Sequence, residues 1–233
     1  MSFRSVIFDT ETTGMNFESD NKAEGHRIIE IGCVELIDRV PTEHYFHCYL
    51  NPEQPVDPQA FKVHGISDEF LADKPFFKDV LPEFEAYLAS ADELVAHNIA
   101  FDRQFIDREL QLAGCDYRLG DKFTLVDSLK IAREKFAGAR NNLDALCKRF
   151  GVDNTGRELH GALLDAQLLA EVYLKLTGGQ SDLSFAHPMM ASARRAEQKT
   201  AATFAKTPCA WLPVDVPEAE RALHEKILKQ LKE

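Results

Sequence analysis

Three apolar runs open the chain. Residues 5–10, 27–36 and 44–50 are dense in Val, Ile, Phe and Tyr and are separated by polar or proline-containing stretches, the pattern of successive strands. They predict an antiparallel meander. Helical spacing of apolar residues follows around 67–72 and 77–89. A strand is then expected at 93–97, a helix from about 100 to 113, a strand at 122–127 and three further helical segments. Strands and helices interleave, so the expected fold class is α/β with a mixed sheet.

The pattern changes after residue 178. Thr177-Gly178-Gly179-Gln180 ends a helical stretch with the glycines expected at a stop. The next thirty residues are rich in Ala but poor in large apolar side chains, too few to bury a face against a core. Apolar content returns at 209–214 and at 217–232, where Ala222, Leu223, Ile227, Leu228 and Leu231 recur at helical spacing. The expected division is therefore a domain at 1–178, a flexible linker at 179–208 and a terminal docking segment at 209–233.

Charge sharpens this division. Of 233 residues, 27 are Lys or Arg and 38 are Asp or Glu, a formal charge of −11. Residues 1–178 hold 19 basic and 31 acidic side chains and so carry −12, whereas residues 179–233 are nearly neutral. Such a protein does not coat a polyanion by counterion release, so any nucleic-acid partner has to be gripped locally. No apolar run approaches the roughly 20 residues of a membrane span. The first residues lack the long apolar core of a signal peptide, which predicts a cytoplasmic protein. Five scattered cysteines, none closer than 15 positions to the next, suggest neither a zinc site nor a disulfide framework.

The candidate chemistry lies in acids placed where a core should be. Asp9 and Glu11 end the first apolar run two residues apart and so share one face of a strand. If Glu11 has already left the strand, both are instead solvated turn residues. Asp102 lies on the helix stripe of Phe105, Ile106 and Ala113, and Asp165 on that of Leu168, Leu169, Val172 and Leu176. Inward-facing carboxylates need a counter-charge, yet the neighbouring Arg103 and Lys175 fall on other helix faces. An oxygen-rich set of this kind selects a hard divalent cation, Mg²⁺ or Mn²⁺. His160 precedes Asp165 by five residues, which on one helix would set them about 140° apart. It is therefore expected in the approach to that helix, with Gly161 allowing the turn, where it can face the acids as a general base.

These motifs, in this order, resemble those of the DEDD superfamily of 3′–5′ exonucleases, in its histidine subgroup. They are an Asp-x-Glu ending the first strand (Asp9, Glu11), an Asp in a His-Asn-x-x-Phe-Asp helix start (Asp102) and a late His-x-x-x-x-Asp (His160, Asp165). Similarity to the proofreading subunits of bacterial replicative polymerases extends through residues 8–16, 27–36, 63–77, 95–105, 141–152 and 160–174. The resemblance implies a ribonuclease H-like fold, a mixed five-stranded sheet flanked by helices. It also implies hydrolysis from a DNA 3′ end with two divalent ions held by Asp9, Glu11, Asp102 and Asp165, and with His160 as base. Gln59 and His64 map onto contacts to the terminal nucleotide, and Thr12, Met15 and Asn98 are further expected contacts beside Glu11 and Asp165. In the tail, Gln180, Leu183 and Phe185 resemble a peptide that docks on a sliding clamp. Trp211, Leu223 and Ile227 fall where such subunits bind the polymerase catalytic (alpha) subunit, and the family also suggests a theta-like third subunit. Two alternatives stay open: an exoribonuclease resembling ribonuclease T or oligoribonuclease, and a non-catalytic polymerase adaptor.

Overall fold

The chain alternates faces along its first strand, and this alternation sets up everything that follows. In the computed structural model, which describes residues 2–157 and 159–178, the elements run β1 (Arg4–Thr12), β2 (Ile28–Ile37), β3 (Val40–Tyr49), α1 (Pro58–His64), α2 (Asp68–Leu71), α3 (Phe77–Leu88) and β4 (Glu93–Ala96). They continue with α4 (Ile99–Leu112), α5 (Leu119–Lys122), β5 (Thr124–Asp127), α6 (Ser128–Lys135), α7 (Leu143–Phe150) and α8 (Ala162–Gly178). The assignments to the linker, to Gln180, Leu183 and Phe185, and to Trp211, Leu223 and Ile227 lie outside the described residues.

One five-stranded sheet has the order β3-β2-β1-β4-β5. The meander is present as expected: β1 pairs antiparallel with β2 and β2 with β3, while β4 runs parallel to β1 and β5 parallel to β4. Val6 and Phe8 point into a core built with Phe77, Leu81 and Phe84 of α3 and Phe105, Ile106 and Leu110 of α4. Ile7 points the other way, into a second core with Leu143, Leu146 and Cys147 of α7 and Leu168, Leu169, Val172 and Leu176 of α8. Helices therefore cover both faces of the sheet, and a buried carboxylate on α4 fastens one of them down. Glu109 accepts from Arg27 Nε and Nη2 at 2.7 and 2.9 Å and from the Ile28 amide at 3.2 Å.

The boundaries depart from the sequence pattern in informative places. Strand β1 runs on to Thr12, so Glu11 is inside it and the solvated-turn alternative is not what forms. β3 starts at Val40 rather than at residue 44; it is the sheet edge, and the exposure of residues 40–45 hides it from a search for apolar alternation. Helix α1 was not anticipated. It is set by local signals, with Asp57 as N-cap accepting from the Gln59 amide, Pro58 in the first turn and Gly65 closing it in the left-handed region at φ 71°. Its Phe61 and Val63 are exposed, so no apolar stripe announces it.

Candidate active site

Two of the acids come from one face of β1. Ile7, Asp9 and Glu11 share the α8 side, whereas Thr10 faces α4. Strand β4 is short, and its pairing with β1 stops at Ile7↔Val95. Beyond Ile7 the β4-side edge of β1 is left open, and the chain leaving β4 turns at once into α4. Asn98 makes that turn in the left-handed region at φ 72°, and Asp102 follows in the first turn of the helix. Asp102, 3% exposed, accepts from Thr10 Oγ1 at 2.8 Å, which fixes it at the open edge beside Asp9 and Glu11.

Asp165 arrives from the opposite layer because Gly32 permits it. Gly32 pairs with Asp9 across the β1–β2 ladder. A Cβ there would lie 2.2 Å from the Leu163 amide nitrogen and 2.3 Å from the Ala162 carbonyl carbon. The first turn of α8 thus rests directly on the sheet, and Asp165, 3% exposed, is delivered to the carboxylates of β1. His160 precedes the helix, as its spacing from Asp165 requires, with its side chain 45% exposed and its amide donating to the Val63 carbonyl at 3.1 Å. Gly161 stands between His160 and α8, and its carbonyl accepts the Asp165 amide at 2.9 Å in the first turn of that helix.

A cavity of about 280 Å³ is lined by Asp9, Thr10, Glu11, His97, Asn98, Phe101, Asp102, Asn142, Leu143, Asp144, Arg157, His160 and Asp165. All five residues singled out for chemistry meet there, with Asn98. The other expected substrate contacts do not line it. Thr12 is buried, Met15 is 39% exposed, Gln59 is exposed at the start of α1, and His64 is buried at its end. The Thr13 carbonyl accepts from the Asp57 amide at 2.8 Å, tying the exit of β1 to α1. His64 Nδ1 accepts from the Ile66 amide at 3.0 Å, which leaves the proton on Nε2. That nitrogen is buried without a partner among the described residues.

The electrostatics show the strain of gathering acids. Six carboxylates are buried among the described residues: Glu11, Glu30, Glu35, Asp102, Glu109 and Asp165. Arginines pair with Glu35, Glu109 and Asp165, and His47 with Glu30, whereas Glu11 and Asp102 pair with no Lys or Arg among the described residues. Burial, then the charges of Asp165, Glu30 and Asp102, push Glu11 up to about 8. Burial likewise pushes Asp102 up to about 7. Asp9 is raised by burial and by Asp102, Glu11 and Asp165. Asp165 goes the other way: burial raises it, but His160 and the Arg157 guanidinium beside it hold it below the ordinary value. One ligand atom each from Glu11, His160 and Asp165 fall within 4.8 Å of one another. This donor set of carboxylate oxygens and one imidazole, short of counter-charge, fits a hard divalent cation.

Arg157 corrects the expectation that no cation stands near these acids. It comes from the loop before α8 rather than from a helix carrying an acid, so helix-face reasoning passes over it. Its Nε and Nη2 lie 2.5 and 2.6 Å from the two oxygens of Asp165.

The comparisons follow the same lines. The family model described as Exonuclease matches residues 6–173. The chain belongs to this exonuclease family. The DNA polymerase III subunit epsilon of Salmonella typhimurium is 56% identical over 184 residues, covering 78% of this chain and 75% of the relative. That of Escherichia coli is 55% identical over the same shares, and that of Haemophilus influenzae 52% identical over 77% and 70%. Among solved structures, Exonuclease X in complex with 5′ overhanging duplex DNA aligns with a TM-score of 0.58 at 26% identity, covering 76% of this chain and 93% of that one. The nuclease domain of 3′hExo, a DEDDh family member bound to rAMP, aligns at 0.64 with 19% identity, covering 77% and 94%, and shares the fold. The exonuclease is thus a ribonuclease H-like 3′–5′ enzyme of the epsilon type. Divalent metal ions belong to this chemistry. Among the described residues no helix is long and apolar enough to cross a membrane.

Proposed function

We propose that this exonuclease removes mismatched nucleotides from DNA 3′ ends as the proofreading subunit of a replicative polymerase, with Asp9, Glu11, Asp102, Asp165 and His160 as its catalytic group. The observation that supports this most is the meeting of four carboxylates and one accessible imidazole around one cavity, with two of the buried acids lacking a Lys or Arg partner among the described residues. Asp9, Glu11, Asp102 and Asp165 would hold two divalent ions, Mg²⁺ or Mn²⁺. When bound, these would supply Lewis-acid activation of water and neutralise charge on the scissile phosphate and leaving oxygen.

The protein's own groups do the rest. His160 stands at the open side of the cavity with Nδ1 3.4 Å from Asp165 Oδ2. An Nδ1–H donated to Asp165 leaves Nε2 free to take a proton from water. The Nε2–H of His64, without a hydrogen-bond partner among the described residues, would be a donor for the terminal nucleotide. Gln59, Thr12, Met15 and Asn98 would supply further contacts to that nucleotide.

The polymerase is the expected partner, as the names of the relatives indicate for those proteins. The residue pattern beyond 178 supplies the contacts: Gln180, Leu183 and Phe185 for the clamp, and Trp211, Leu223 and Ile227 for the polymerase catalytic subunit. A theta-like third subunit would sit on the domain surface. The test is the double change Asp9→Ala with Glu11→Ala, assayed on a mismatched DNA 3′ terminus and on short RNA. A loss of at least about 100-fold on DNA, in a protein with unchanged circular dichroism, is expected for removal of a metal-holding pair. Unchanged DNA hydrolysis overturns the assignment, and RNA cleaved faster than DNA by the unaltered protein makes it an exoribonuclease instead.

A further inference from the structure

We propose that Arg157 is a positioning residue that governs access of the divalent cation to Asp165 and sets the tautomer of His160, moving between Asp165 and Asp144. The proposal rests on the catalytic assignment above. The guanidinium is almost wholly enclosed, with its side chain 6% exposed. Its Nε and Nη2 take both oxygens of Asp165, at 2.5 and 2.6 Å. Nη1 lies 2.7 Å from Asp144 Oδ1, and Nη2 also reaches His160 Nδ1 at 2.9 Å.

Each contact has a consequence for the reaction. A forked arginine takes a lone pair on each oxygen of a carboxylate and sets its positive charge beside both, so a cation that binds Asp165 has to compete with the guanidinium. An N–H donated to His160 Nδ1 makes that nitrogen an acceptor, and the neutral ring then carries its proton on Nε2 and cannot take one from water. Withdrawal of Arg157 lets Nδ1 donate to Asp165 and releases Nε2, so the same movement opens the cation's ligand and prepares the base.

The fold provides somewhere for Arg157 to go. Asp144, in the first turn of α7, is half exposed, with its side chain at 53%, and already shares the guanidinium. Asn154 Nδ2 donates to the same Asp144 oxygen at 3.1 Å, which anchors the loop that carries Arg157. Gly156 precedes the arginine, and among the described residues nothing lies within 4 Å of where its Cβ would be, so that point of the loop is not packed against the domain.

The experiment is a double-mutant cycle read by Mn²⁺ affinity of the full chain, from calorimetry and from the electron paramagnetic resonance of free Mn²⁺, without substrate. Arg157→Gln should bind Mn²⁺ about 10-fold tighter or more, the scale of a lost charge-assisted hydrogen-bond pair. Asp144→Asn should bind it several-fold more weakly, because Arg157 then has only Asp165 and His160 to hold. In the Arg157→Gln background, Asp144→Asn should change nothing. Arg157→Lys, which keeps the charge but not the fork, should also bind Mn²⁺ more tightly than the parent and serves if the Gln protein does not fold. Equal or weaker Mn²⁺ binding by the Gln or Lys protein overturns the proposal. So do additive effects of the two changes, which would mean general electrostatics without a handover. Failure of the catalytic assignment is read separately, in the hydrolysis assay of the Asp9 and Glu11 variant.

Discussion

At the scale of single residues, the carboxylates of β1 and α4 make stability depend on pH in an unusual direction. Glu11 and Asp102 are raised to about 8 and about 7, chiefly by burial, from ordinary values of 4.5 and 3.8. Between those limits the folded protein keeps protons that the unfolded chain has lost. Stability therefore falls as pH rises from about 4.5 to about 8, the reverse of a salt-bridged acid. Asp165, held low, loses its contribution only below its ordinary 3.8 and does not offset this. In chelator the melting temperature should decline by on the order of ten degrees or more across that window, since each pH unit by which a carboxyl is raised is worth about 1.4 kcal/mol and about 1 kcal/mol moves a domain of this size by 2–4 °C. Millimolar Mg²⁺ should flatten the decline. A melting temperature that stays level or climbs from pH 5 to 8 in chelator would show that these groups are not raised as described. The five chemical residues were legible in the sequence because each breaks a rule: an acid on an apolar stripe, or a histidine out of phase with its acid. Arg157 broke no rule. An arginine in a polar loop is ordinary, and only the folded structure shows that it reaches Asp165.

At the scale of elements, the site depends on how closely α8 lies on β2. Gly32→Ala would place a methyl 2.2–2.4 Å from backbone atoms of Ala162 and Leu163, and backbone cannot rotate away as a side chain can. The start of α8 has to lift from the sheet and carry Asp165 with it. Overpacking of this kind costs about 1–3 kcal/mol, and a shift near 1 Å at a reacting group costs about 100-fold in rate. Urea denaturation and hydrolysis at saturating Mg²⁺ should show both losses together; nearly unaltered activity would mean that α8 does not rest on Gly32. A signal for this contact was present in the sequence. A lone glycine inside the run Ile28-Ile29-Glu30-Ile31-Gly32-Cys33-Val34 weakens a strand unless another backbone must come close. The long, strongly patterned elements β1, β2, α3, α4 and α8 were foreseeable because burial dictates their periodicity. The edge of β3 and the seven-residue α1 were not, since exposed positions carry little pattern.

At the scale of the whole molecule, the charge decides how the exonuclease must be used. Residues 1–178 carry −12, and two divalent ions at the carboxylates would bring this only to about −8. Such a surface releases few counterions from DNA. Affinity for a single-stranded 3′ end should accordingly be weak and only slightly salt-dependent, with a slope near −0.7 for each phosphate neutralised and few phosphates engaged. The enzyme then needs the primer end delivered to it, and delivery is the role the pattern beyond residue 178 suits. Both hydrophobic cores and every member of the catalytic group lie within the described residues up to 178. A chain ending at Gly178 should therefore hydrolyse a short oligonucleotide at the rate of the full protein. It should fail to capture the polymerase catalytic subunit in a pull-down, and it should show none of the gain in rate on a mismatched primer that is expected when that subunit is added to the full chain. Capture by the shortened chain would move the polymerase contact onto the domain surface. A fall in its rate on the short oligonucleotide alone would mean that residues 179–233 take part in the chemistry rather than in delivery.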